Sequence, residues 1–221
     1  MQKYDASPGN HENVRRARGR PRAFDRAAAL DRATRLFWTK GYEATSIADL
    51  TDVMGIGAPS LYAAFGSKEA LYAEALDHYH TTNEHLVWSD FRAAATARAA
   101  VHALLMDSAA ALTGSVVDIP RGCMVTLSSV GCEGHAGLGE LVRDARGVAL
   151  DRLKQRFERA VAEGELPEGT DLHALARFVQ TVQSGMSILA RDGAERAELE
   201  SVADLAMAGW DARLAGVTVR D

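Results

Sequence analysis

From Asp25 onward the apolar residues recur at helical spacing. Leu30, Ala33, Thr34 and Phe37 fall at i, i+3, i+4, i+7 and define one inward face. Gly41 supplies the left-handed residue that commonly closes a helix. A second helix is predicted from Ser46, with Asp49 three residues on as an acidic variant of the capping box. Its inward face is Ile47, Leu50, Thr51 and Met54, and Gly55 ends it. Only Ile56 separates Gly55 from Gly57, which can cap a short third helix over 58–65. Pro59 is tolerated in the first turn of that helix, and Leu61 and Phe65 point inward at i, i+4. After Gly66 and Ser67, a fourth helix carries Leu71, Tyr72, Ala75, Leu76 and Tyr79 on a broad apolar stripe. Two helices joined by a short Gly-containing turn are the pattern of a helix-turn-helix.

Beyond residue 85 the chain continues in helical units, predicted at 88–113, 121–133, 138–163, 171–192 and 195–215. Gly114, Pro120, the 134–139 stretch, the 164–169 loop with Pro167, and Gly193 separate them. No strand or hairpin pattern and no internal repeat interrupts the series. The predicted fold class is all-α with about nine helices, a three-helix N-terminal helix-turn-helix domain preceding a larger helical domain. Residues 1–22, with Ser7, Pro8, Gly9 and Asn10 and few apolar groups, are expected to form a flexible basic arm. The helix-turn-helix domain is then 23–80 and the larger domain 81–221.

Composition narrows the class without changing this picture. With 47% apolar and 25% charged residues, the 221-residue chain has enough apolar surface for a buried core. No run approaches the eighteen or so apolar residues of a membrane span, and the polar, basic start has no hydrophobic segment behind it. A cytoplasmic protein without a membrane partner is expected. Cys123 and Cys132 are too few for a disulfide framework and lack zinc-site spacing. On one helix they would stand about 13 Å apart, beyond disulfide reach, so two reduced thiols are expected. The net charge of −5 is unevenly distributed. Residues 1–70 carry 11 Lys and Arg against 8 Asp and Glu, whereas residues 71–221 carry 14 against 22. A polyanion would be met by the first third only.

The chemistry of that first third points to double-stranded DNA. A helix fits the major groove with its N-terminal residues nearest the base edges, and here those are Ala58, Pro59, Ser60, Tyr62 and Ala63. Ser60 can bond a base edge or a phosphate, and the Tyr62 hydroxyl can reach a phosphate one turn further on. Lys68 adds a positive charge near the same strand. Phe65 reads as a core aromatic, whereas Tyr62 falls outside the face shared by Leu61 and Phe65. Residues 15–22 read Arg-Arg-Ala-Arg-Gly-Arg-Pro-Arg, in which Gly19 and Pro21 favour an extended path. Extended Arg18, Arg20 and Arg22 can enter a narrow A·T-rich minor groove, and the Arg-Gly-Arg-Pro core resembles an AT-hook. A solubilising tail that makes only non-specific phosphate contacts is the other reading.

Residues 25–79 resemble the TetR family of bacterial repressors, through Phe37, Gly41, Tyr42, Thr45, Ile47, Ala48, Gly55, Leu61, Tyr62, Phe65, Lys68 and Leu71. The resemblance implies that the third helix is the recognition helix and that Thr45, Tyr62 and Lys68 are phosphate contacts. Gly57 departs from it, since the family usually has a Ser or Thr there. Gly caps nearly as well but offers no side chain to a phosphate. The resemblance also implies a homodimer through residues 171–215, where the last two helices form an intermolecular four-helix bundle. Asp171 can cap the first of these, Leu172, Leu175, Ala176, Val179, Val182, Gln183 and Met186 run down one stripe, and Gly185, Ala206 and Gly209 permit close approach.

The larger domain is then expected to sense a small molecule. His102, Met106, Met124, Leu127, Phe178 and Met186 have the residue types of a ligand pocket, and plain core is the other reading of each. Cys123 follows Arg121 and Gly122 and precedes a helical run, the setting of a redox or electrophile sensor; an inert buried thiol is the alternative. His78, His80 and His85 stand at i+2 and i+5 spacings that do not share a helix face, so neither metal nor cofactor is expected. A Gly-x-Ser-x-Gly elbow, a phosphate loop and a His-Glu-x-x-His pair are all missing, and the Gly55 and Gly57 pair follows a helix rather than a strand, so no enzyme is expected. The sequence reads as a DNA-binding repressor, homodimeric on a palindromic operator and released by a small molecule. A thiol sensor using Cys123 and a less sequence-specific DNA-binding protein using the arginine arm are the alternatives.

Overall fold

A computed structural model describes residues 24–131 and 134–215. Its elements are α1 (Arg26–Lys40), α2 (Ile47–Met54), α3 (Ala58–Phe65), α4 (Lys68–Asn83), α5 (His85–Ala93), α6 (Ala97–Leu112), α7 (Met124–Leu127), α8 (Ala136–Ala162), α9 (Leu172–Arg191) and α10 (Arg196–Ala215). The described residues are all-α, as expected, with no strand among them. The arm residues Arg18, Arg20 and Arg22, and Cys132, lie outside the described residues.

Local side chains start the helices. Asp25, Thr96 and Asp171 accept hydrogen bonds from the backbone N–H groups of Ala28, Ala99 and Ala174. Ser46 and Asp49 form a reciprocal capping box that ties down α2. At the other end of α2, Gly55 takes the left-handed conformation, φ +69°, which lets the chain turn at once into α3.

Two departures from the expected pattern concern connections. The helix predicted over 88–113 is two helices, because residues 94–96 leave the helical path and Thr96 caps a fresh start. The groups freed there are satisfied from far away in sequence. Arg156 of α8 donates to the Ala95 carbonyl, and the Glu165 carboxylate accepts from the Ala97 N–H. Of the helix predicted over 121–133, the described residues keep only the single turn of α7. The Arg146 side chain gathers the carbonyls of Val125, Thr126 and Ser128 at 2.7–3.2 Å and holds that segment as a loop.

The 134–139 stretch, expected as a break, contains the start of α8. Gly139 lies inside the helix because the α7–α8 loop crosses there; a Cβ on it would stand 3.0 Å from the Gly131 Cα.

Two apolar cores result. One gathers Leu104, Leu105, Leu153, Phe157, Met186, Leu199 and Trp210 from α6, α8, α9 and α10. The other is built by Ala33, Phe37, Leu50, Leu61, Leu71 and Tyr72 of α1–α4, and it also takes in Met124, Val130, Leu138 and Val142. The α7 turn and the start of α8 are therefore packed into the helix-turn-helix core. His135, just before α8, sets its ring edge-on to Tyr42 at 4.8 Å.

Candidate nucleic-acid interface and cavity

α3 is held by its inward residues. Leu61 is fully buried and Phe65 nearly so, while Pro59, Ser60, Tyr62 and Ala63 face solvent and Ala58 is half-buried. Tyr62 keeps 47% of its surface exposed, which assigns it to the outer face and not to the core. Arg26, which sequence reasoning did not single out, fixes the end of this helix. Its guanidinium lies 4.3 Å over the Phe65 ring, donates to the Ala64 carbonyl, and pairs with Glu74 of α4 at 2.7 Å. A helix only two turns long gains its orientation from such tertiary ties, since a helix of that length is marginal alone.

Two of the expected phosphate contacts have other surroundings. Thr45 is 1% exposed and its hydroxyl donates to the Gly41 carbonyl at 2.6 Å, so it closes the α1–α2 turn from inside; the expectation of a phosphate contact is corrected on that ground. Lys68 is half-buried with its ammonium 4.2 Å over the Tyr42 ring. Burial lowers its pKa, against the opposing pull of Glu43 and Glu69. Burial and a hydrogen bond with Glu69 raise the Tyr42 phenol.

Behind these helices a cavity of about 540 Å³ opens between α4, α5, α8 and α9. Val87, Trp88, Leu112, Val125, Ala149 and Ile188 form its apolar wall, and Tyr79, Cys123, Arg146, Gln180, Gln183 and Ser187 are among its polar groups. This is within the size range of small-molecule sites and has their mixture of apolar walls and few polar groups. Its inner end touches the helix-turn-helix domain. The Tyr79 hydroxyl donates to the Cys123 sulfur at 3.2 Å, and the Tyr79 ring meets Trp38 of α1 edge-on at 4.7 Å. The Trp38 indole N–H in turn donates to the Gly122 carbonyl at 2.8 Å. Gly122 has φ +78°, and a Cβ there would meet Leu127 and the Ser187 carbonyl at under 3 Å. Burial raises the Tyr79 phenol well above its ordinary pKa, followed in size by the neighbouring Cys123 thiol.

The sequence profile of bacterial regulatory proteins of the TetR family matches residues 29–75. Over 204 residues the chain is 34% identical to the HTH-type transcriptional repressor ComR of Escherichia coli K12, spanning 89% of this chain and 94% of that one. The chain belongs to the TetR family. A solved structure of the TetR family transcriptional regulator CifR, a cysteine mutant complexed with 26-bp operator DNA, is 40% identical. It covers 86% of this chain and all of its own, with a TM-score of 0.81. The HTH-type regulator YezE of Bacillus subtilis is 28% identical across its whole length. As a TetR-family protein the chain is a transcriptional regulator and not an enzyme.

Within this TetR-family protein, the residues expected to line a ligand site are dispersed. Of the seven, only Cys123 lines the large cavity. Met186 is wholly buried in the larger core, Met106 packs against it, and Met124 belongs to the helix-turn-helix core. Leu127 presses on Gly122, and His102 sits on the outer surface 3.9 Å from Asp204. Phe178 lines a separate cavity of about 300 Å³ beside Trp210 and Leu214. These six are corrected as residues of the main cavity: residue type selected them, whereas helix rotation and the path of α7 decide which side chains face inward. Among the described residues, no group of three His, Cys, Asp or Glu converges as a metal site, and no helix is long and apolar enough to cross a membrane.

Proposed function

We propose that this chain is a repressor that binds a palindromic double-stranded DNA operator as a homodimer and is released when a small molecule enters the α4–α5–α8–α9 cavity. The observation that carries the reading is α3: its buried Leu61 and Phe65 leave Pro59, Ser60, Tyr62 and Ala63 as one exposed face of a helix positioned by α1, α2 and Arg26. A groove-reading helix has this division. The likeness to ComR, a transcriptional repressor, and to CifR, solved on operator DNA, supports it.

Dimerisation through residues 171–215 is supported by the apolar groups these helices leave exposed, Phe178, Ile188 and Leu189 on α9 and Leu205 on α10. Exposed large apolar side chains on two helices packed against each other are the kind of surface an interaction site uses. Gly209 of α10, with the Phe178 ring 4.0 Å from where its Cβ would stand, keeps that face flat. The arm with Arg18, Arg20 and Arg22 adds counterion release and a preference for A·T pairs flanking the half-sites. The reading places the protein in the cytoplasm with the chromosome.

Release follows from linkage. A ligand that binds the DNA-free spacing of the two recognition helices better than the DNA-bound spacing weakens operator binding by the ratio of those affinities. A 100-fold loss requires about 2.7 kcal/mol of differential binding. The second reading, a thiol sensor, is supported by one observation: Cys123, a free and half-buried cysteine, lines the cavity, where a small electrophile could reach it.

Selection of bound duplexes from a random pool, with sedimentation of the same preparation, tests the main reading. The expected result is a two-fold-symmetric consensus with half-sites about 34 Å apart or somewhat further, and a dimer at micromolar concentration. A monomer, or bound duplexes without a consensus, would overturn it in favour of the non-specific alternative.

A further inference from the structure

The charges around the large cavity do not balance. Glu84 is the sole carboxylate in its wall among the described residues, and two guanidinium groups already hold it, Arg92 at 2.6 Å and Arg152 at 3.1 Å, with the His80 imidazole at 2.9 Å. Arg146 and Arg177 also line the cavity, and neither pairs with a carboxylate among the described residues. Arg146 spends Nε and Nη2 on the carbonyls of Val125, Thr126 and Ser128, which leaves Nη1 without a partner among those residues. Arg177 donates to the Gln180 amide oxygen, whose own NH₂ group donates to the Arg146 carbonyl. The Gln180 amide thus ties the Arg177 guanidinium to the backbone of Arg146, and both arginines belong to the cavity lining, Arg177 with an exposed side chain. Val87, Trp88 and Leu112 give the lining apolar surface, and the Arg152 guanidinium lies 5.3 Å over the Trp88 ring.

A guanidinium held by carbonyls keeps its full charge, and a partly enclosed, low-dielectric wall strengthens its field. Its planar fork matches a carboxylate. A cationic ligand would meet two unpaired positive charges and a carboxylate with no capacity left. A neutral ligand would leave the field unused.

Resting on the effector reading above, we propose that the cavity takes an amphipathic anion, an apolar body ending in a carboxylate or similar acid group, with the acid between Arg146 and Arg177 and the body against Trp88. Nothing in this binding mode requires covalent chemistry at Cys123.

Trp88 in the wall supplies the readout. Decanoate and decan-1-ol, matched in chain length, are titrated against the full-length protein while tryptophan emission is followed. Decanoate is expected to bind about tenfold more tightly, in line with the strength of a charge-assisted hydrogen bond. Arg177→Gln should erase most of that preference and leave decan-1-ol binding unchanged, and Arg146→Gln should erase it as well, with any loosening of the α7 loop appearing as an equal loss for both probes. Arg146→Lys, which keeps the charge, should retain most of it, and this separates charge recognition from collapse of the α7 loop. Equal binding of the two probes by the unaltered protein would overturn the anion assignment and leave the cavity as an effector site. Failure of both probes to bind would overturn the anion assignment alone, since the effector reading is not tied to a ten-carbon chain.

Discussion

Arg191 of α9 donates from Nη2 to the Trp38 carbonyl, 2.8 Å away in the last turn of α1. The same guanidinium bonds the carbonyls of Thr39 and Arg121 at 3.1 and 2.8 Å. The last carbonyls of a helix have no partner within it, and a cation there also meets the negative end of the helix dipole. Here α9 supplies that cap to α1 from across the molecule. One turn earlier α9 presents Ser187 and Ile188 to the cavity.

Arg191→Met should therefore cost about 2 kcal/mol, the order of hydrogen bonds to a charged donor, and lower the melting temperature by several degrees. The same variant should respond less to effector than the unaltered protein does. Thermal denaturation, and operator affinity with and without effector, check both. Unchanged coupling in a destabilised variant would assign the signal to α4 alone.

Tyr79 offers the complementary test, because its ring and its hydroxyl have separate partners in Trp38 and Cys123. Tyr79→Phe keeps the ring contact and should change stability by no more than about 1 kcal/mol. Tyr79→Ala removes the ring against Trp38 and should cost about 3 kcal/mol while weakening effector coupling. Chemical denaturation and operator titrations measure the two effects, and equal behaviour of the two variants would contradict the division.

Exposure of Tyr62 on the outer face of α3 leads to a different expectation. Tyr62→Phe should leave stability within about 0.5 kcal/mol and lower affinity for the selected operator about fivefold, equally across sequence variants, because a phosphate contact positions without specifying. Fluorescence anisotropy against a panel of operator variants reads this out. A shifted base preference at constant affinity would instead make Tyr62 a reader of bases.

Asp49 predicts a pH dependence. Its carboxylate accepts from Lys40 at 2.7 Å and from the Ser46 backbone and hydroxyl at 2.8 and 2.7 Å. The Lys40 hydrogen bond is the largest influence holding its pKa well below the usual carboxylate range, followed by those from Ser46. A group with a depressed folded-state pKa stabilises the fold above its unfolded pKa, about 3.9, and loses that contribution as pH falls through the folded value. Asp49→Asn should thus lower the melting temperature at neutral pH, and the gap to the unaltered protein should narrow steadily below about pH 4. A gap that stays constant down to acid pH would remove the carboxylate from the stability of α2.

The helix-turn-helix was legible because its information is local. The i, i+4 spacing of Leu61 and Phe65, the Ser46 and Asp49 pair and the two glycines flanking Ile56 dictate helices, a cap and a turn within a few residues of themselves. The exposed position of Tyr62 followed from the same spacing, and the amphipathic character of α9 was equally plain, with Leu175, Ala176, Val179 and Met186 on its buried side. Nothing local marked Thr45 as buried, since its hydroxyl is equally suited to a phosphate and to the Gly41 carbonyl.

What the tertiary structure alone decided depends on partners distant in the chain. Residues 94–96 have neither Gly nor Pro, and they leave the helix where Arg156 and Glu165, more than sixty residues on, accept or supply the freed hydrogen bonds. Residues 121–133 read as helix by pattern, yet Trp38, Arg146, Ser187 and Arg191 bind the backbone of the described part, 121–131, and hold most of it as a loop. That loop brings Cys123 to the cavity and sends Met124 into the other core. A buried backbone group needs a partner wherever it can find one, and a cavity is the space that packing leaves unfilled. Both are properties of the assembled helices, so residue type could nominate Met106, Phe178 and Met186 for the cavity while only the packing could place Arg146, Gln180 and Trp88 there.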